Sequence, residues 1–250
     1  MNQKIIDQIK NIIIEAGDIS IQMRNQGLKV QQKTDGSSVT NADIAVSDYI
    51  FEGLKNITTA IPVICEEKLP NQGLEADKFW LIDPIDGTKG YIKGEDIFTV
   101  NIALIENQKA KYGFIYLPVT RKIYYTNASM KLVIEQNGEL LNKNQSFHKT
   151  GLTATVSKNN FNDKTQEFLL NNNIEHIIKL SSSYKLCIVA EKIADMYPKF
   201  SATSEWDIAA GHAILKASGG NVIDQSTKQE LLYGKQNWLN SNFVAYKVTP

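Results

Sequence analysis

Two aspartates three residues apart stand at the end of an apolar run: Phe79-Trp80-Leu81-Ile82 leads into Asp83-Pro84-Ile85-Asp86-Gly87-Thr88. The run reads as a buried strand that delivers both carboxylates, and then a threonine hydroxyl, into a turn. Pro84 fixes its own φ and pushes Asp83 toward extended backbone. Gly87 supplies a position with no side-chain clash. Carboxylate and carbonyl oxygens on a stiff turn suit hard cations such as Mg²⁺, Mn²⁺ or Ca²⁺, not zinc.

Further acids stand where a scaffold presents reactive groups. Glu66-Glu67 closes the short apolar run Ile61 to Cys65, and strand ends are a usual place for such groups. Asp43 falls in the first turn of a helix, and Asp207 follows Trp206 at the start of another. Taken singly, Asp43 and Asp207 read as acids that complement a helix dipole, and Glu66-Glu67 as solvated surface. A second strand-end acid cluster so close, at Asp83, changes that weighting. His148, His176 and His212 lack zinc-like spacing. There is no glycine-lysine phosphate loop and no nucleophile elbow. Asp83 and Asp86 are three apart, so the Asp-x-Asp spacing of aspartyl-phosphate enzymes is absent.

The elements that must hold these groups follow from periodicity. Ile5, Ile6, Ile9, Ile12, Ile13, Ala16, Ile19 and Met23 form one face of a helix ended by Asn25-Gln26-Gly27. Lys33 to Asn41 reads as a polar loop. A second helix, capped by Thr40 or Asn41, turns Ile44, Ile50, Leu54 and Ile57 inward. Thr99 to Ile105, Lys111 to Leu117 and Lys122 to Thr126 read as strands; Lys131 to Glu135 pairs with Leu140-Leu141 across Asn137-Gly138. The middle third is therefore an antiparallel meander. Beyond residue 150, strands at 153–157, 174–180 and 194–197 alternate with helices near 163–171, 183–194 and 206–218. A soft boundary near 148–152 divides an α+β part, 1–150, carrying most of the candidate ligands, from an α/β part, 151–250, that completes the site.

Composition narrows the class. The 250 residues suffice for a sizeable core, and 42% are apolar. Lys+Arg and Asp+Glu are both 27, which argues against broad electrostatic binding to nucleic acid or to an anionic membrane. Cys65 and Cys187 suggest buried hydrophobes, not a disulfide framework. No run approaches 18 apolar residues, and the amino terminus is no signal segment, so a cytoplasmic location is the default expectation.

Glu66-Glu67, Asp83 to Thr88, and Trp206-Asp207-Ile208-Ala209-Ala210-Gly211 together resemble the inositol monophosphatase superfamily of metal-dependent, lithium-sensitive phosphatases, in order and spacing and over nearly the whole chain. Within it, Gly87-Thr88-Lys89, Phe98 to Ala103, Ser181 to Cys187, Val189-Ala190-Glu191, Tyr197-Pro198-Lys199 and Gly211-His212-Ala213 are similar to the branch of CysQ-type 3′(2′),5′-bisphosphate nucleotidases. Ser38 stands where proline is usual, Cys65 where serine or glycine is, and Gly90 where glutamate often is. The resemblance implies a layered α/β sandwich, a large antiparallel sheet followed by a smaller α/β part.

It also implies roles. Glu66, Asp83 and the carbonyl of Ile85 would hold one Mg²⁺, and Asp83, Asp86 and Asp207 a second, with two or three ions per site. Glu66 and Thr88 would orient and activate the attacking water, and Asp43 would support Thr88 or a further metal. Glu66, Ile85, Asp86, Gly87, Thr88 and Asp207 would also meet the substrate. Ser182 and Lys185, three apart at a helix start, would bind an anion, like the Ser-x-x-Lys element with which the nucleotidases hold their nucleotide. The implied activity is removal of the 3′ phosphate of adenosine 3′,5′-bisphosphate. An inositol- or sugar-phosphate phosphatase and a non-catalytic phosphate binder are the alternatives. The expected partner is a small phosphorylated substrate and not nucleic acid. The expected protein is a monomer or homodimer, with peripheral membrane association left open.

Overall fold

The computed structural model describes residues 1–34, 36–69, 76–141 and 150–248. Helix α1 spans Gln3–Gln26. Asn2 caps it by accepting from the Ile5 N–H at 2.9 Å, and Gly27, at φ +99°, ends it. Its stripe of Ile6, Ile9, Ile13 and Ala16 is wholly buried. Within Lys33 to Asn41, expected to be a loop, Ser38–Thr40 instead forms a strand, β2, paired with β1 (Val30–Gln32) just before that stretch. Three-residue polar strands carry no alternation for a sequence to show.

Helix α2 (Asn41–Ile57) opens on a capping box: the Thr40 hydroxyl accepts from the Ala42 and Asp43 N–H groups, while Asp43 accepts from Thr40. Its inner stripe is Ala42, Val46, Ile50 and Leu54; Ile44, expected inside, is 48% exposed because it lies two positions off that stripe.

A seven-stranded sheet follows in the order β3 (Val63–Cys65), β4 (Lys78–Asp86), β5 (Thr99–Glu106), β6 (Lys109–Leu117), β7 (Lys122–Thr126), β8 (Leu132–Gln136) and β9 (Glu139–Leu140). Only the β3–β4 pairing is parallel; the rest is the expected meander. The β8–β9 turn places Asn137 at φ +53° and Gly138 at φ +83°, as a two-residue primed turn requires. Helix α3 (Thr88–Ile92) sits between β4 and β5.

A second, mixed sheet has the order β11-β10-β12-β14-β13. Its elements are β10 (Leu152–Ser157), α4 (Asp163–Asn171), β11 (Ile174–Leu180), α5 (Tyr184–Ala190), β12 (Met196–Lys199), α6 (Trp206–Ala217), β13 (Asn221–Asp224) and β14 (Phe243–Tyr246). The helix expected over 183–194 stops at Ala190, and the strand expected from 194 begins at Met196. Lys192 at φ +64° closes α5, with Lys192 N–H on the Val189 carbonyl and Ile193 N–H on that of Ile188. A lysine in the position usually held by glycine left no stop signal. Strands β13 and β14 are four residues each and had not been expected.

The layers stack as helix, sheet, helix, sheet, helix. Helices α1 and α2 pack on one face of the large sheet, α5 and α6 lie between the sheets, and α4 covers the outer face of the second. Helix α6 approaches so closely that a Cβ on Gly113 of β6 would stand 2.1 Å from the Ala210 carbonyl oxygen. Cys65 and Cys187 are buried and unbridged. Among the described residues no helix is long and apolar enough to cross a membrane.

Candidate active site

The first part of the run, Asp83 to Asp86, is not a turn after the strand but an irregular continuation of it, and only Gly87 turns, into α3 at Thr88. Asp83 pairs with Asn101 and Asp86 with Thr99, so the β4–β5 register breaks between them. Inside the break the Ile85 N–H donates to Asp83 Oδ1 at 3.1 Å. Gly87 then turns through φ +98°, and the Thr88 hydroxyl donates to the Ile85 carbonyl at 2.9 Å. Because β3 runs parallel beside β4, Glu66 just beyond it lands next to Asp83; its N–H donates to the Ile82 carbonyl. Asp207 comes from the opposite half, at the first turn of α6, where its Oδ2 accepts from Thr203 Oγ1 at 2.5 Å and the Ser204 N–H at 3.0 Å.

These groups line one cavity of about 290 Å³. It gathers Glu66, Asp83, Ile85, Asp86, Gly87, Thr88, Ser182, Lys185 and Asp207. Asp43 is not in the lining. It is buried behind it, with Oδ2 engaged by the Thr40 N–H and hydroxyl. Ser182 holds a left-handed backbone, φ +56°, uncommon for a residue with a side chain. Lys185 is 6% exposed; its ammonium donates to the Ser182 carbonyl and lies 5.3 Å from the Tyr197 ring centroid.

Crowding of like charge out of water governs the electrostatics. Burial, with Glu66, Asp86, Asp207 and Asp43 nearby, holds the Asp83 carboxyl well above the usual carboxylate range. Burial raises Glu66 to about 7, against the pull of Lys33, and Asp207 to about 6, with Asp86 adding to the rise. Asp43 rises to about 6, chiefly by burial. Lys185 moves the other way, to about 8, because burial disfavours its charge. As the side chains lie, no group of three or more His, Cys, Asp or Glu among the described residues forms a ready metal cage. Each acid leans on a protein partner: Glu66 on Lys33, Asp86 on Ser183, Asp207 on Thr203, Asp43 on Thr40. The donor set nonetheless fits a hard divalent cation. It consists of carboxylate and carbonyl oxygens, and ionising its acids together is unfavourable without added positive charge.

Several neighbours escaped sequence reasoning. Lys33 Nζ reaches Glu66 Oε1 at 2.9 Å and Glu67 Oε1 at 2.7 Å. Thr203 holds Asp207, and Lys199 lines the cavity from β12. Lys33 and Lys199 carry no local spacing signal, because each arrives from another element; Thr203, four residues before Asp207 at the start of α6, is a local partner that was passed over. The histidines stand apart: His176 is exposed against the Thr150 carbonyl, His212 is buried against Tyr233 and Asn221, and His148 lies outside the described residues.

The model of the inositol monophosphatase family matches residues 1–249. The 3′(2′),5′-bisphosphate nucleotidase CysQ of Salmonella typhimurium is 37% identical over 243 residues, 96% of this chain and 98% of that one. Its counterpart of the same name from Escherichia coli K12 is 35% identical with the same coverage. The crystal structure of CysQ from Bacteroides thetaiotaomicron, described as a bacterial member of that family, superposes with a TM-score of 0.86 at 28% identity, covering 98% of this chain and 97% of the other.

Proposed function

The chain belongs to the inositol monophosphatase family, and from that premise we propose that it is a 3′(2′),5′-bisphosphate nucleotidase, hydrolysing adenosine 3′,5′-bisphosphate to AMP and phosphate. The observation that carries this is the single cavity in which Glu66, Asp83, Asp86 and Asp207 share a wall with the buried Lys185. Full-length likeness to the CysQ relatives supports the choice of substrate.

Glu66, Asp83 and the Ile85 carbonyl would hold one Mg²⁺, and Asp83, Asp86 and Asp207 a second. Bound Mg²⁺ supplies charge neutralisation of the anionic ester, a lower water pKa and stabilisation of the leaving oxygen. The chain's own groups do the rest. Glu66, in the cavity wall beside Asp83, takes a proton from the attacking water. Thr88 Oγ1 orients that water, and the Ile85 carbonyl to which it is bonded fixes the hydroxyl in place. The water oxygen bonds to phosphorus, the P–O3′ bond breaks, and O3′ departs with the electron pair and is protonated. Asp43 keeps the start of α2 firm behind the wall. Ser182 and Lys185 hold the second phosphate, which a bisphosphate has and an inositol monophosphate lacks.

A released-phosphate screen over nucleotide bisphosphates, inositol phosphates and sugar phosphates, with Mg²⁺ present, tests this. Adenosine 3′,5′-bisphosphate gives the highest kcat/KM. A higher value for an inositol or sugar phosphate assigns the scaffold to that chemistry instead, and no release from any of them makes it a binding protein.

A further inference from the structure

Ser183 occupies the N-cap position of α5, yet its hydroxyl makes no capping bond. A serine there ordinarily accepts from a backbone N–H of the first turn. Here Oγ lies 2.6 Å from Asp86 Oδ2 and 2.6 Å from the backbone carbonyl of Asp207, and it accepts from Asn101 Nδ2 at 2.8 Å. Asn101 Nδ2 also reaches Asp86 Oδ2, at 3.4 Å. The amide is oriented so that its buried Oδ1 has no partner among the described residues while its N–H₂ serves these two acceptors. Ser183 is 3% exposed and Asn101 1%, so solvent does not compete. The hydroxyl thus ties the end of β4 to the first turn of α6.

We infer that Ser183, backed by Asn101, is a positioning residue for the cation site. It fixes Asp86 by one carboxylate oxygen and holds the start of α6, which carries Asp207, at a set separation from it. This rests on the metal-dependent reading above. Partners that hold a ligating carboxylate set its orientation, and their loss weakens metal binding by roughly 10- to 100-fold. The hydroxyl's one proton is shared between Asp86 Oδ2 and the Asp207 carbonyl while its oxygen accepts from Asn101, so it stands at the junction of the two halves.

The test is a calorimetric Mg²⁺ titration of the substrate-free, full-length protein, with the Mg²⁺-dependent rise in Tm as a second readout. Ser183→Ala weakens Mg²⁺ binding roughly tenfold or more and shrinks the Tm rise. Ser183→Thr keeps the hydroxyl and stays near the wild type. Ser181→Ala is the structural control. Its hydroxyl also bonds across to the amino-terminal half, at the Ile97 carbonyl, but does not touch Asp86; it leaves Mg²⁺ affinity unchanged. If Ser183→Ala does not fold, Asn101→Ala removes the amide that backs the hydroxyl and itself reaches Asp86, and lowers affinity likewise. Wild-type affinity in the Ser183→Ala or Asn101→Ala protein, or equal weakening by Ser181→Ala, overturns the inference alone. A wild type that binds no Mg²⁺ and releases no phosphate overturns the functional reading and this inference with it.

Discussion

Lys185 is a charge almost out of reach of water, and burial has already lowered its pKa to about 8. An ammonium in that setting is stabilised by an anion brought beside it. Lys185→Ala therefore raises KM for adenosine 3′,5′-bisphosphate by roughly tenfold or more, since a charge-assisted contact is worth about 1.5–3 kcal/mol. Hydrolysis of an inositol monophosphate changes far less. Steady-state kinetics on both substrates checks this, and equal losses on the two remove Lys185 as a specificity residue. Thr88→Ala acts differently: kcat falls while the Mg²⁺ concentration for half-maximal rate barely moves, and Thr88→Ser recovers most of the rate. Loss of Mg²⁺ affinity at an unchanged rate would make Thr88 a support for the Ile85 carbonyl and nothing more. The acids were legible in sequence because each follows a strand or opens a helix. Lys33 and Lys199 were not, since what brings them to the acids is tertiary packing and not spacing; Thr203, four residues before Asp207, stands at a local spacing that was passed over.

The position of α6 is set by contact with backbone. Gly113 on β6 leaves no room for a Cβ beside the Ala210 carbonyl, 2.1 Å away, and neither atom can rotate aside. Gly113→Ala pushes α6 off the sheet and costs on the order of 1–3 kcal/mol or more, the usual range for overpacking. Thermal unfolding reads the drop, and activity falls with it because α6 carries Asp207. An unchanged Tm would mean that α6 rests on the sheet more loosely than this contact requires. Strong periodicity made α1 and the β5–β9 meander readable before folding, and of the inner stripe of α2 it gave Ile50 and Leu54 but not Ala42 and Val46. Ile44 was misread because a β-branched apolar residue two positions off a helical stripe still faces water. The end of α5 was misread because Lys192 takes a backbone conformation that sequence assigns to glycine.

At the scale of the whole molecule, buried titratable groups make stability depend on pH. His212 bonds to the Tyr233 hydroxyl and to Asn221, with Glu230 and Lys216 nearby, and burial lowers its pKa from the ordinary 6.5 to about 4. Between those values the unfolded chain binds the proton and the folded one does not. The stability of the neutral state is therefore complete above about pH 6.5 and is lost as pH falls toward about 4. The acid cluster titrates in the opposite sense, so the useful quantity is a difference. The unfolding free energy of wild type minus that of His212→Gln falls by on the order of 2–3 kcal/mol from pH 7 to pH 4. A flat difference would mean that His212 titrates in the fold as it does in the unfolded chain. The meander and the later strand–helix alternation were legible in the pattern, and the layered sandwich was what the family resemblance implied. The edge of the second sheet was not, because β13 and β14 are short and gain their pairing only from each other and from β12. The most direct test of the central claim is the yield of AMP and phosphate from adenosine 3′,5′-bisphosphate as Mg²⁺ is titrated into chelator-stripped protein, for wild type and Asp86→Asn. The wild type forms the two products one to one with a rate that rises from near zero with Mg²⁺, and Asp86→Asn is slower by at least ~10²-fold, the scale of a catalytic metal's contribution. Full activity in excess EDTA, or a wild-type rate in Asp86→Asn, would contradict it.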